Sequence, residues 1–104
     1  MNLVEKVLRS QEFNKREKQI IVSKLNDDQK IEHITRVPVE SSNLASVGYS
    51  GLDEVLEVEF QGGSVYMYSE VPREVHEELM NADSHGSYFH HNVKEAGYDY
   101  YKVK

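Results

Sequence analysis

Three observations predict an α+β fold for this chain: N-terminal helices, a small antiparallel sheet, and one or two short helices packed on it. Residues 56–61 alternate Leu, Glu, Val, Glu, Phe and Gln, the period-2 pattern of a half-buried strand. Gly62-Gly63 follows at once, the pair that a two-residue hairpin turn needs, before Val65–Tyr68 resumes the alternation. Upstream, apolar residues recur at helical spacing instead, first at Leu3, Val4, Val7 and Leu8, then at Ile20, Ile21 and Leu25.

In order along the chain, Asn2 to about Arg9 reads as a short amphipathic helix. Asn14 and Glu17 stand at capping-box spacing and open a second helix that ends near Leu25. Asn26-Asp27-Asp28 breaks it, and Ile31 with Ile34 suggests one more helical turn over Gln29–Ile34. Residues 1–35 thus form a helical appendage, read as a scaffold covering one face of the sheet, and residues 36–104 the α+β domain. Arg36–Glu40 is extended because Pro38 biases Val37 away from the helical region. Ser41-Ser42-Asn43 turns the chain into a strand over Ala45–Ser50, and Ser50–Asp53 turns it again into the hairpin, completing a three-stranded meander.

If Gly62-Gly63 is the whole hairpin loop, Phe60 faces Val65, Val58 faces Met67 and Leu56 faces Ser69. The opposite face then pairs Glu59 with Tyr66 and Glu57 with Tyr68, an acidic and phenolic surface behind a dry core. Beyond the hairpin, Pro72 fits the first position of a helix with Val75 and Leu79 inward and Glu74, Glu77 and Glu78 outward. Ala82-Asp83 ends it. Ser84–His91 forms a second short helix or turn, and Gly97 releases a closing strand over Tyr98–Val103.

At 104 residues the chain is one domain with a short appendage. It has no cysteine, which removes disulfides, thiolate metal sites and thiol nucleophiles. No apolar run approaches the length of a membrane span and Met1-Asn2-Leu3 opens no signal-peptide pattern, so the expected home is the cytoplasm. Charge divides the chain: residues 1–36 carry eight Lys/Arg against six Asp/Glu, and residues 37–104 carry four against twelve. The excess of −6 is therefore concentrated in the α+β module, and such an excess bears on partners and encounter rates, not on fold.

Pro38–Val103, 66 of the 104 residues, resembles the KTSC family, a small domain named for its place at the C-terminus of some lysyl-tRNA synthetases. The residues that carry the resemblance are Val39-Glu-Ser-Ser-Asn43, Gly48-Tyr49, Leu56-Glu-Val-Glu-Phe60, Gly63, Tyr66-Met-Tyr68 and Val71-Pro72. Glu74-Val75, Ser84-His-Gly86, Tyr88-Phe89 and the stretch from Tyr98 to Val103 continue it. The resemblance implies a compact α+β module, alone or fused to a tRNA-charging enzyme, with nucleic-acid binding proposed for it. Where the family usually carries Lys and Arg, this chain has Met67, His85, Ser87, His90 and His91, so permanent positive charge is missing from those places.

Four functional readings follow. The tyrosines could stack on single-stranded bases, but affinity for RNA rests mainly on Lys and Arg meeting phosphates, and the module is acidic. Glu57, Glu59, Glu74, Glu77 and Glu78 with Tyr66 and Tyr68 instead suit a basic protein partner, charge steering the encounter and tyrosine anchoring it. By its format, a small acidic module is expected to be a non-catalytic inhibitor or adaptor of a nucleic-acid-handling nuclease or ribonucleoprotein. A phage anti-CRISPR protein seated in the cationic channel of a Cas9-type nuclease is an example. The RNA- or tRNA-binding module is the alternative. Asp83, His85, His90 and His91 lie within nine residues and offer ligands to Zn²⁺ or a similar divalent ion, although adjacent His90 and His91 point apart on a regular helix or strand. No Gly-rich phosphate loop and no local nucleophile–base pattern is present, so no catalytic residue and no enzyme is expected.

Overall fold

The structure, a computed structural model, describes residues 3–27 and 34–104. Two helices, α1 (Leu3–Arg9) and α2 (Lys15–Asp27), precede five strands: β1 (Val37–Pro38), β2 (Leu44–Ser50), β3 (Val55–Phe60), β4 (Val65–Tyr68) and β5 (Tyr100–Lys102). Between β4 and β5 come α3 (Arg73–Asn81), α4 (His85–Phe89) and a π-helical turn over His90–Lys94. The strands lie in sequence order in one antiparallel sheet. The meander and closing strand are as expected; the two-residue edge strand β1 is added by the extended segment at Pro38. Among the described residues, no helix is long and apolar enough to cross a membrane.

The capping box holds in both directions. Asn14 Oδ1 accepts from the Glu17 N–H at 2.8 Å, and the Asn14 N–H donates to Glu17 Oε1 at 3.1 Å. Val7, Leu8 and Val22 are buried, but Ile20 is 59% exposed. At 3.6 residues per turn, a residue two positions from Val22 lies on the far side of the helix. The side chains of Leu3, Val4 and Leu25, and most of the helical turn expected over Gln29–Ile34, lie outside the described residues. At α3, Pro72 sits one position earlier than expected, as the N-cap with extended backbone, and Arg73 begins the helix.

The hairpin differs from the expectation by one residue. Its loop has three residues, not two: the Phe60 N–H donates to the Ser64 carbonyl at 2.9 Å and the Gly63 N–H to the Phe60 carbonyl at 2.8 Å. Of the two glycines only Gly63 has positive φ, at 95°, closing a turn through Gln61 and Gly62 in the manner of a three-residue bulged loop. Leu56 therefore faces Tyr68, Val58 faces Tyr66, Glu57 faces Met67 and Glu59 faces Val65. A slip of one residue exchanges the faces of every side chain on β4.

Both faces of the sheet are covered as a result. On one, Val47, Leu56, Val58 and Tyr68 pack with Val71, Leu79, Phe89 and Val93 from the α3–α4 side. On the other, Val55, Val65, Met67, Tyr101 and Val103 pack with Leu8 of α1 and Val22 of α2. The N-terminal helices share a core with the sheet. Polar ties reinforce the contact: Arg9 Nη1 reaches Asp53 Oδ1 at 3.1 Å, and Gln19 both donates to the Lys102 carbonyl and accepts from its N–H.

Candidate functional site

Two segments forty residues apart in sequence build a polar cleft of 480 Å³. One is the turn Ser41–Asn43, where Ser41 Oγ accepts from the backbone N–H groups of Asn43 and Leu44, both at 3.2 Å. The other is the start of α4, where Ser84 is the N-cap and its Oγ accepts from the Ser87 N–H. Gly86 lets them meet: a Cβ there would stand 3.2 Å from Ser41 Oγ and 3.4 Å from Asn43 Nδ2. His85 Nδ1 lies 2.8 Å from the Leu79 carbonyl, which can only accept, so Nδ1 donates to it.

The cleft continues over Phe60, Phe89 and Lys94 into a second, more apolar one of 420 Å³. Five rings line it in a closed circuit. Phe60 meets Tyr66 edge-on at 5.8 Å, Tyr66 meets Tyr100 at 5.9 Å and Tyr100 meets Tyr68 at 5.8 Å. Tyr68 meets Phe89 at 5.5 Å, and Phe89 returns to Phe60 at 5.4 Å, both edge-on. These are the separations and tilts that ring quadrupoles favour. Lys94 lines the same cup, and from α2 the Lys15 ammonium stands 4.8 Å over the Tyr100 ring. Tyr100 remains 48% exposed and Tyr66 half-buried, whereas Tyr68 is buried and its phenol is pushed up to about 12, chiefly by burial.

The expected acidic and phenolic surface is not formed. Glu57 is fully buried, facing the N-terminal helices, with its carboxylate 3.3 Å from Arg36 Nη1. Glu59, half-buried on the same face, accepts from Ser46 Oγ at 2.8 Å. Tyr66 and Tyr68 lie on the opposite face because the hairpin register differs by one residue. Glu74, Glu77 and Glu78 are exposed on α3 as expected, with Tyr88 donating to Glu78 at 3.3 Å.

The histidine cluster is also rearranged. Among the described residues, the set whose ligand atoms converge within 4.8 Å is His90, His91 and Glu95; Asp83 and His85 are not in it. Glu95 lies past the helix end that the sequence predicts at His91, so the sequence pattern does not group it with the histidines. The chain instead continues through the π turn to Lys94. Lys94 has no role in the sequence reading, whereas Tyr100 is one of the tyrosines offered there for base stacking, and its pairing with Tyr68 puts it on the face they share.

Comparison with known proteins places this architecture. Residues 40–100 match the family profile of the KTSC domain. The chain belongs to the KTSC domain family. It is 39% identical over 77 residues to a lysine–tRNA ligase of Trichormus variabilis, a match covering 71% of this chain and 14% of the ligase. An uncharacterized protein of Stutzerimonas stutzeri is 43% identical over 68 residues, which cover 65% of this chain and 96% of that protein. The crystal structure of a KTSC domain protein from Yersinia pestis superposes with a TM-score of 0.64 at 33% identity, covering 69% of this chain and all of that one. Both clefts of this KTSC domain draw their walls from inside the matched stretch, and Lys15 of α2, outside it, stands over the Tyr100 ring.

Proposed function

We propose that this KTSC domain is a non-catalytic module that binds a short single-stranded stretch of RNA along the two joined clefts. One unstacked base enters the aromatic cup, and its neighbouring phosphates meet Lys94 and Lys15. The observation that carries this reading is the closed circuit of five rings with an ammonium at its rim. Aromatic walls take any base through its π-face, and RNA is read mostly where its bases are unstacked. The names of related proteins support it, since lysine–tRNA ligases carry a matching segment.

Charge sets the strength. Lys94 lines the cup and Lys15 stands over Tyr100, but Asp99 lies 3.9 Å from Lys15 and Glu40 and Asp83 line the polar cleft, so the groove has no cationic excess in a chain of net charge −6. Stacking contributes about 1–3 kcal/mol per base, so one or two bases give weak binding. With two or three phosphates neutralised, the salt slope is shallow, about −2 on logarithmic axes for a single strand.

The test is calorimetric or fluorescence titration with single-stranded RNA oligonucleotides at low salt. Tyr66→Ala is expected to weaken binding about tenfold, within the range for one lost stacking partner, and Lys94→Glu to weaken it and to reduce the salt slope. Absence of binding at low salt, or binding indifferent to both substitutions, rejects the reading.

A second reading keeps a basic protein partner on α3, favoured by the three exposed carboxylates Glu74, Glu77 and Glu78 on one helix face. Charge reversal at all three is expected to abolish capture of such a partner in a pull-down; capture that persists removes it.

A further inference from the structure

We infer that His90, His91 and Glu95 form a binding site for one zinc-class divalent cation, independent of what the aromatic cup takes. His90 Nε2 and His91 Nδ1 both point at the same carboxylate oxygen, Glu95 Oε1, at 3.0 and 3.2 Å. Bonds of about 2.0–2.2 Å from Zn²⁺ to nitrogen and oxygen put adjacent tetrahedral ligands about 3.3 Å apart. Two edges of the polyhedron are therefore already present. The third, between the histidine nitrogens, lies within the 4.8 Å that encloses the whole set. The two rings meet edge-on, with centroids 5.1 Å apart, which keeps them from collapsing onto each other.

Neighbouring histidines do not converge on a regular helix, where successive side chains diverge and residue i+5 lies well round the cylinder from residue i. The π turn removes this obstacle. The Glu95 N–H donates to the His90 carbonyl at 3.1 Å, an i→i+5 bond. The wider turn swings Glu95 back between its two partners, and π turns are frequent at functional sites. Two imidazoles and one carboxylate suit Zn²⁺, Co²⁺, Ni²⁺ or Cu²⁺, not Mg²⁺ or Ca²⁺, which prefer all-oxygen shells.

Three protein ligands leave coordination positions open, the format of sites that present the ion to something else. His90 and His91 both line the polar cleft beside Ser41–Asn43 and His85. The open positions can therefore be reached from the cleft, by water or by an anionic oxygen. All three ligands are more than half exposed, so the ion exchanges with solvent and is not a folding staple.

The experiment uses untagged, chelator-treated full-length chain, titrated calorimetrically with ZnCl₂ and followed separately by Co²⁺ absorption. One ion per chain is expected, with the visible spectrum of low-coordinate Co²⁺. His90→Ala, His91→Ala and Glu95→Gln are each expected to weaken binding at least about tenfold, the loss that removal of even an outer partner of a ligand brings. Far-UV circular dichroism confirms that each variant folds. No saturable binding, or binding unchanged in the three variants, overturns the site. So does an equal loss from His85→Ala or Asp83→Asn, which would put the ion on a different set.

Discussion

Glu57 lies at the centre of the sheet, fully buried, with its carboxylate 3.3 Å from the Arg36 guanidinium. Arg36 Nε also donates to Ser46 Oγ, which in turn donates to Glu59 Oε1, so one arginine joins three side chains of β2 and β3. Arg36→Ala removes a charged partner of this buried carboxylate together with the link to Ser46, and is expected to destabilise the fold by about 1–3 kcal/mol, read as a lower midpoint in urea unfolding. The double variant Arg36→Met with Glu57→Leu is expected to recover most of that loss, because apolar groups of similar volume need no counter-charge. A single-variant loss below about 1 kcal/mol, as for a surface pair, shows that the interaction is not what the burial implies.

The two glycines of the hairpin separate on a single test. A two-residue loop would demand positive φ at both glycines in a type I′ turn or at Gly62 in a type II′ turn, but only Gly63 has it, at 95°. An added Cβ meets nothing within 4 Å at either position, so sterics with neighbours play no part. Gly63→Ala is expected to cost 1 kcal/mol or more through backbone strain, of the order of 1–3 kcal/mol. Gly62→Ala is expected to be neutral or to stabilise by about 0.4–1 kcal/mol, by restricting the unfolded chain. Equal losses at both positions would favour the shorter loop.

That single residue of register also marks how far the sequence could be read. Helix starts, turns and strand positions were legible because they depend on local chemistry: Asn14 with Glu17, Pro38, Ser84, and the alternation from Leu56 to Phe60. Loop length was not, because Gly-Gly satisfies a two-residue turn and a bulged three-residue turn equally well. Glu57 points away from Leu56 and Val58 in either register; it is buried because α1 and α2 cover that face, where the longer loop also brings Met67 opposite it. Its counter-charge, Arg36, lies 21 positions away, and no periodicity announces that it folds back over β2. The polar cleft was only half visible for the same reason: Ser41–Asn43 and Ser84–Gly86 were both singled out, but their meeting at Gly86 is tertiary. Glu95 required knowing that the helix widens after Phe89, and nothing in the residues His90–Lys94 alone distinguishes a π turn from an α turn.

The Gln19 side chain acts as a short substitute strand on the open edge of β5. Its amide donates to the Lys102 carbonyl at 3.2 Å and accepts from the Lys102 N–H at 3.0 Å, covering groups that would otherwise invite pairing with another chain. Gln19→Ala is expected to cost about 1–2 kcal/mol for two hydrogen bonds and to speed hydrogen exchange at the Lys102 amide selectively. Leu8→Ala, which cuts into the core beneath the same helices, is expected to cost about 2–5 kcal/mol and to raise exchange across β4 and β5 together. Unchanged exchange at Lys102 in the first variant removes the edge-covering role.

Alkaline pH is expected to unfold the protein through its buried phenols. Tyr68 is pushed up to about 12, and Tyr49, Tyr88 and Tyr101 are also raised, in each case chiefly because burial disfavours the phenolate. The unfolded chain releases these protons near pH 10. Above that value it binds fewer protons than the native state, so stability falls as pH rises, and for Tyr68 the loss runs on to about pH 12. Below pH 10 these groups contribute no slope, because both states hold the proton. Urea midpoints measured at successive pH values should therefore be insensitive to tyrosine ionisation in neutral buffer and drop steeply above pH 10. Tyr68→Phe keeps the ring contacts with Phe89 and Tyr100 but has no proton to lose, so the alkaline drop in this variant should be shallower. An identical alkaline slope in wild type and variant would show that the Tyr68 hydroxyl is not held in its neutral form by the fold.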